Sequence, residues 1–267
     1  MLKQRIATAT ILLLVTWGAV FYFPPFLWTF ATGCVAQILL WEFSHMVGLS
    51  PSEVRRYLLV SALLQWIIWL LNYRFGIFES IIILGFWLFI APLWLVRRWK
   101  LNSMFLRWIV GWILILPAWM AFQVLRFSSE DVWPVLFVMG IVWAADTAAY
   151  ITGKYYGQYK LSVQISPGKS WDGVAGGLIG TVVYLSIFYL FDYQPFSLSW
   201  FQGVFFVILL CIISIIGDLL ESWFKRCAHI KDSSNLLPGH GGFYDRMDGL
   251  VAVMATCVAL LKLLHLG

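Results

Sequence analysis

Charge is scarce in this sequence. Only 12% of the 267 residues are Asp, Glu, Lys or Arg, about half the share found in an ordinary soluble domain. So little charge cannot coat a water-facing surface, and apolar runs extend from end to end, leaving no place for a separate soluble domain. Cysteine is scarce too. The four present, Cys34, Cys211, Cys227 and Cys257, form no CxxC, and three lie inside apolar runs, so neither a disulfide framework nor a zinc site is indicated. No repeat of fixed period is visible. No A-x-A-type cleavage site follows the apolar run that starts at Ile6, so that run reads as a first membrane span.

What is abundant is hydrocarbon. Apolar residues make up 61% of the chain, aromatic residues 18%, and the mean hydropathy is +0.84. A bilayer core takes roughly 20 apolar residues per helix. On that length the chain reads as an all-α polytopic integral membrane protein of about nine transmembrane helices. The expected spans are Ile6–Phe23, Phe26–Val47, Tyr57–Leu71, Phe75–Val96, Trp108–Leu125, Val132–Gly153, Gly173–Phe191, Trp200–Trp223 and Gly249–Leu266. About five of these fall in residues 1–131, an N-terminal helical region. Residues 132–267 carry the polar segments, in loops 154–172 and 226–247.

Positive charge orients the spans. With the N-terminus in the cytoplasm, 15 of the 18 Lys and Arg fall inside, leaving Arg74, Arg126 and Lys262 outside. The formal net charge of +5 is therefore a statement about topology, and no nucleic-acid partner is expected. For Arg55, Arg56, Arg97 and Arg98 orientation alone is a sufficient role.

An ionisable side chain within the bilayer costs about 2.5–3.5 kcal/mol or more and suggests function. Glu79 sits near the end of its span, where snorkelling makes it cheap, and reads as structural. Glu42 reads either way. Asp146 is the stronger candidate, because it opens Asp-Thr-Ala-Ala-Tyr, with Tyr150 one turn on and Gly153-Lys154 at the membrane exit. The following loop contains Ser166-Pro-Gly-Lys169-Ser170. Its Gly-Lys-Ser suggests a phosphate-binding P-loop only superficially, since position 163 is Val and no preceding strand is expected. Small hydroxyls, a lysine and open backbone N–H groups remain as candidate phosphate ligands. Gly173, Gly176, Gly177 and Gly180 read as a helix-packing stripe.

The densest polarity is in Gly217–Gly249. On a helix, Asp218, Glu221, Ser222 and Lys225 share one face, and such a stripe on an apolar helix must look into a protein-lined cavity. A Gly-His-Gly-Gly turn follows, able to bring backbone N–H groups close to an anion. Asp245 and Asp248 then stand one turn apart if the last helix begins there. With Asp218 they suit Mg²⁺, which takes carboxylate oxygens together with substrate phosphates. Lys225, Arg226, Lys231 and Arg246 suit the phosphates. His240 has no second His or Cys at ligand spacing, and either donates to a phosphate or caps the turn. A solvated hairpin laced with ion pairs would explain these charges, but not the Gly-His-Gly-Gly turn or an acid inside the span.

Ser222-Trp-Phe-Lys225-Arg226, then Lys231-Asp232, Ser234, Leu237-Pro238, His240-Gly241-Gly242-Phe243 and Asp245-Arg246-Met247-Asp248 resemble the signature of the phosphatidate cytidylyltransferases. The Asp146 segment and Ser166–Gly177 resemble that family's second conserved region, and Trp41-Glu42 an N-terminal element of its bacterial members. Ser170 stands where threonine is usual, Asp172 where Glu or Gln is usual, and Gln158-Tyr159-Lys160 where a more basic run is common. The resemblance implies a nucleotidyltransferase of phospholipid synthesis, in which phosphatidate attacks the α-phosphorus of CTP to give CDP-diacylglycerol and pyrophosphate. It implies catalytic roles for Asp218, Lys225, Arg226, Asp245, Arg246 and Asp248. Substrate contacts would come from Asp146, Ser166, Lys169, Ser170, Ser222, Lys231, His240, Gly241 and Gly242. Asp218, Asp245 and Asp248 would hold Mg²⁺, with a monovalent cation as a candidate companion. The partners so implied are CTP, phosphatidate and the bilayer, with a second copy of the chain as a further candidate. The setting would be a bacterial inner membrane, with the site on its cytoplasmic side. The alternatives are a CTP-dependent lipid or polyprenol kinase and, among non-enzymes, an ion-coupled transporter.

Overall fold

The computed structural model describes residues 2–73, 75–126, 131–193 and 196–264. The outward placing of Arg74, and a last span reaching Leu266, lie outside the described residues. The elements in order are α1 (Leu2–Tyr22), α2 (Pro25–Met46), α3 (Pro51–Leu70), α4 (Ile77–Gly85), a π-helical turn (Phe86–Ile90), α5 (Ala91–Arg97), α6 (Met104–Leu125) and α7 (Trp133–Tyr156). A β-hairpin follows, β1 (Lys160–Ser162) and β2 (Ser166–Ser170), and then α8 (Trp171–Leu190), α9 (Trp200–Cys227), a 3₁₀ turn (Tyr244–Arg246) and α10 (Asp248–Leu263).

The chain is thus mostly helical. Among the described residues, six helices are long and apolar enough to cross a membrane: Pro25–Met46, Ile77–Arg97, Met104–Leu125, Trp133–Tyr156, Trp171–Leu190 and Trp200–Cys227. The remaining three of the expected spans fall on helices that do not meet that measure. Ile6–Tyr22 is a shorter apolar stretch, α10 has 16 residues, and α3 starts six residues before the expected Tyr57. That early start has a local cause. Ser50 accepts the N–H of Glu53 and the Glu53 carboxylate accepts that of Ser50, a capping box with Pro51 at the first helical position. Arg55 and Arg56 therefore lie on a helix, not in a loop.

The last helix is the hub. Every residue of α10 from Gly249 to Ala259 is buried, as befits a helix that is apolar all round, and it packs on α9, α6, α4 and α7. Glu79 stays at the start of α4, accepting the N–H of Gly76 at 3.0 Å and the Tyr73 hydroxyl. Arg126 is not a plain loop cation. It is buried and donates from Nε to Val20 O at 2.7 Å, tying α1 to the end of α6.

Two features aim the polar segments. The glycine stripe of α8 lies on α7, with a Cβ built on Gly173 only 3.0 Å from Ala149 O and one on Gly177 3.3 Å from Ala145 O. These helices can approach so closely only without side chains between them. The second feature is a crossing of α9 and α10 at Gly217 and Gly249. A Cβ on Gly217 would stand 2.8 Å from Asp248 O and 3.4 Å from the Gly249 Cα. The next residue along α9 is Asp218 and the one before Gly249 is Asp248, so the crossing brings these two acids within electrostatic reach of each other.

Candidate active site

At the end of the bundle where α7 and α9 finish and α8 and α10 begin, a cavity of about 380 Å³ opens. Asp146, Tyr150 and Lys154 line it from α7, Gly168, Lys169 and Ser170 from β2, and Asp218 from α9. Lys169 makes an ion pair with Asp218, whose other oxygen accepts the Ser222 hydroxyl at 3.3 Å. Asp146 and Asp248 both lie within electrostatic reach of Asp218 and Lys169, and Asp146 within reach of Arg246. Three carboxylates thus share Lys169, with Arg246 near one of them, which leaves negative charge in excess.

The strand before α8 was not expected. β2 pairs antiparallel with β1, Lys160 opposite Ser170 and Ser162 opposite Ser166, so a strand does lead into that helix. The P-loop comparison still fails on Val163. Ser170 caps α8, its Oγ accepting the Gly173 N–H at 3.1 Å, and the Asp172 carboxylate receives the Gln158 N–H at 3.0 Å. Ser166 and Lys169 are left on a rigid hairpin facing a helix N-terminus, where anions are favoured. Arg226, expected at a phosphate, donates from Nε to Ile165 O at 3.1 Å and fastens the hairpin to α9.

A second polar cluster lies deeper. Lys225 makes ion pairs with Glu221 and with Asp245, each at 2.6 Å, and all three side chains are largely buried. The expected face of α9 is therefore real, with Ser222 on Asp218 and Lys225 on Glu221. Asp245, expected as a metal ligand, meets groups of its own chain on both oxygens. Its Oδ1 is taken by Lys225, and its Oδ2 accepts the Ser233 N–H at 2.9 Å, the Ser233 hydroxyl at 3.1 Å and the Gly242 N–H at 2.7 Å. Through these contacts Asp245 ties the loop together. The helical run breaks at Met247, with φ −123° and ψ 2°, between the 3₁₀ turn and α10, so Asp245 and Asp248 do not stand on one continuous helix.

That loop is gripped from the other side by Glu42 of α2, which is fully buried. Its carboxylate accepts the hydroxyls of Ser233 and Ser234 and the N–H groups of Phe243 and Tyr244. Gly242 is packed so tightly that a Cβ there would sit 2.6 Å from Glu42 Oε1 and 2.7 Å from Ser234 N. Gly239 and Gly241 take φ of +78° and +85°, a conformation only glycine adopts at no cost. Between them, His240 donates its N–H to Leu237 O at 2.9 Å, and its carbonyl accepts from Arg246 at 3.0 Å. The His240 Nδ1 is buried without a partner, so the backbone of this residue caps the turn. Lys231 is exposed on the same loop. Glu42 and Glu221 are the residues whose importance the sequence understates. The signal available was an acid alone in an apolar helix for the first, and a place in the α9 stripe for the second.

Among the described residues no three His, Cys, Asp or Glu side chains come together closely enough to cage a metal ion. Mg²⁺ asks less of a protein than a cage, since it takes one or two carboxylates and completes its shell with water and substrate phosphates. Asp218 and Asp248, within electrostatic reach of each other and of Asp146, are carboxylates of the kind such an ion would take.

Residues 3–264 match the model of the cytidylyltransferase family. The chain is 35% identical over 270 residues to a phosphatidate cytidylyltransferase of Pseudomonas aeruginosa, covering 98% of this chain and 97% of that protein. It is 34% identical over 284 residues to a phosphatidate cytidylyltransferase of Haemophilus influenzae, at 95% and 96% coverage. A protein of the same name from Staphylococcus saprophyticus is 38% identical over 133 residues, half of each chain. With the match running from the first helix to the last, across both polar clusters, this chain belongs to the cytidylyltransferase family.

Proposed function

We propose that the protein transfers the cytidylyl group of CTP to phosphatidate, releasing pyrophosphate and forming CDP-diacylglycerol. The observation that supports this reading is the cavity lined by Asp146, Asp218 and Lys169 beside the N-terminus of α8, with Asp248 within electrostatic reach of all three. Mixed charge of this kind suits a triphosphate with its counter-ion. A divalent cation, here Mg²⁺, would be held by Asp218 and Asp248 with Asp146 adjacent, and would supply charge neutralisation along the triphosphate.

The chain's own residues do the rest by placement and electrostatics, as in other phosphoryl transfers. A phosphate monoester has a second pKa of about 6, so phosphatidate arrives as a nucleophile needing no strong base. Lys169, on its hairpin, is placed to exchange Asp218 for a phosphate oxygen, and Arg246 to meet the lipid phosphate next to Asp146. Ser166 and the N–H groups at the start of α8 offer close contacts. Lys225, Glu221, Asp245 and Glu42 fix the loop that presents Arg246.

The remaining helices fit this chemistry if α1, α3 and α10 also cross the bilayer, giving nine spans. The N-terminus and the cavity then face the cytoplasm, the side from which CTP comes, and the membrane is the bacterial inner membrane. Residues 132–267 would form the catalytic region. A kinase acting on the same lipid class with CTP would transfer the γ-phosphoryl group. Incubation of the purified protein with phosphatidate and α-labelled or γ-labelled CTP separates the two. Label in lipid from the α position only is expected, and label from the γ position would replace the reading with the kinase.

A further inference from the structure

A second cavity has a volume of about 350 Å³. Its walls come from five helices, with Thr16 of α1, Ala31 of α2, Ala118 of α6, Trp143 of α7 and Leu250 of α10 among them. They are apolar almost throughout. The single charged side chain among the described residues lining it is Arg246.

Both cavities take part of their lining from α7. Trp143 looks into the apolar one and Asp146, three residues on, into the polar one, which is the spacing of neighbours on one helix face. Arg246 lines the apolar cavity, its charge reaches Asp146, and it gives one hydrogen bond to the His240 carbonyl. A guanidinium has five N–H donors in a fork suited to phosphate. An apolar channel in a bilayer would accept any lipid tail. An apolar cavity whose one charged lining group is an arginine, within electrostatic reach of Asp146 in the polar cavity, suits a lipid whose headgroup is a small anion.

Resting on the proposed reaction, we infer that this channel between α1, α2, α6, α7 and α10 seats an acyl chain of phosphatidate, with the lipid phosphate at Arg246. The chain length that fits is then set by the wall residues, and the reacting phosphate is delivered to the side of the polar cavity where Asp146 lies. A zwitterionic phospholipid would place a choline or ethanolamine group beyond its phosphate, toward Lys169, and is disfavoured.

Filling the channel tests this. Thr16→Trp and Ala31→Trp narrow it from two different helices. In each, the ratio of kcat/KM for dioleoyl phosphatidate to that for dibutyryl phosphatidate should fall at least tenfold relative to the unaltered protein. A ratio unchanged in both variants overturns the assignment. A photoactivatable diazirine on the acyl chain of phosphatidate gives a readout independent of turnover. In nanodiscs of phosphatidylcholine it should label peptides of α1 and of residues 243–251, and unlabelled phosphatidate should suppress that labelling. Equal suppression by added phosphatidylcholine would mean ordinary boundary lipid and would overturn the assignment. If the unaltered protein makes no CDP-lipid from either phosphatidate, the proposed reaction fails instead, while the labelling result still decides what occupies the channel.

Discussion

The carboxylate of Glu42 accepts the backbone N–H of Tyr244, 202 positions further along the chain. With three other donors from the 233–243 segment on the same carboxylate, one buried acid of α2 holds the whole turn that presents Arg246. Glu42→Gln replaces an oxygen that accepts with an amide that donates, and leaves backbone N–H groups facing N–H. Hydrogen bonds to a charged group contribute about 1.5–3 kcal/mol, and a loss of roughly 2–3 kcal/mol is expected, seen as a lower unfolding midpoint in detergent. Because the turn is displaced, kcat should fall about tenfold or more in the protein that remains folded, equivalent to about 1.4 kcal/mol in the barrier. A lower midpoint with unchanged kcat would show that Glu42 serves the fold alone.

Lys225 is the only cation between two buried acids. Removing one partner of a buried ion pair costs about 3–5 kcal/mol because a charge is left without compensation. Lys225→Met should therefore be among the most destabilising single changes near the site, since Glu221 and Asp245 then face each other unneutralised. Adding Glu221→Gln should recover part of the loss. A double variant no more stable than Lys225→Met would show that Asp245 alone depends on the lysine.

Acid sensitivity follows from Asp245, which lies outside the spans. Burial pushes its carboxyl up, but the hydrogen bond and charge of Lys225, with the N–H groups of Gly242 and Ser233, outweigh burial and hold it below the usual Asp value. A lowered folded value means stability that is fully present above the ordinary carboxylate range. That stability is lost as pH falls through the ordinary value and on toward the folded one. The unfolding midpoint should accordingly drop on the acid side of the ordinary Asp value, and Asp245→Asn should flatten that limb while lowering the midpoint at neutral pH. An acid limb of the same depth in Asp245→Asn would assign it to other carboxylates.

Much of this was legible in the residues. Apolar length gave the long helices, and the spacing of Asp218, Glu221, Ser222 and Lys225 gave the face of α9, because both follow from the 3.6-residue period. Helix starts were less legible, as at α3, where a local cap outran the hydropathy. Contacts between distant segments left almost no trace. Nothing near Glu42 announces partners some 190–200 positions away. The pairing of Asp245 with Lys225 left no trace for a related reason. Its proximity to Asp248 in sequence suggests a shared face, but the helical run breaks at Met247 between them, and Asp245 meets Lys225. Gly217 and Gly249 would pass for filler in apolar helices, yet their contact sets the position of the two acids beside them.

That contact also decides the sharpest test of the metal. If Asp218 and Asp248 are the residues that meet a divalent ion carried by the nucleotide, Asp218→Asn and Asp248→Asn should each reduce turnover on the order of a hundredfold, the scale of losing one charge-stabilising group. Both should also raise the Mg²⁺ concentration needed for half-maximal rate. Asp245→Asn should behave differently, because its oxygens hold Lys225, Ser233 and Gly242. It should lower the rate through the displaced turn with little change in the Mg²⁺ requirement. Chelation with EDTA should stop the unaltered protein and readdition of Mg²⁺ restore it. Undiminished turnover in EDTA, or in both Asp218→Asn and Asp248→Asn, would leave the cluster an electrostatic scaffold for the lysine and not the seat of an ion. An Mg²⁺ requirement shifted most by Asp245→Asn would mean that Lys225 releases this carboxylate when the nucleotide binds, and that the turn moves with it.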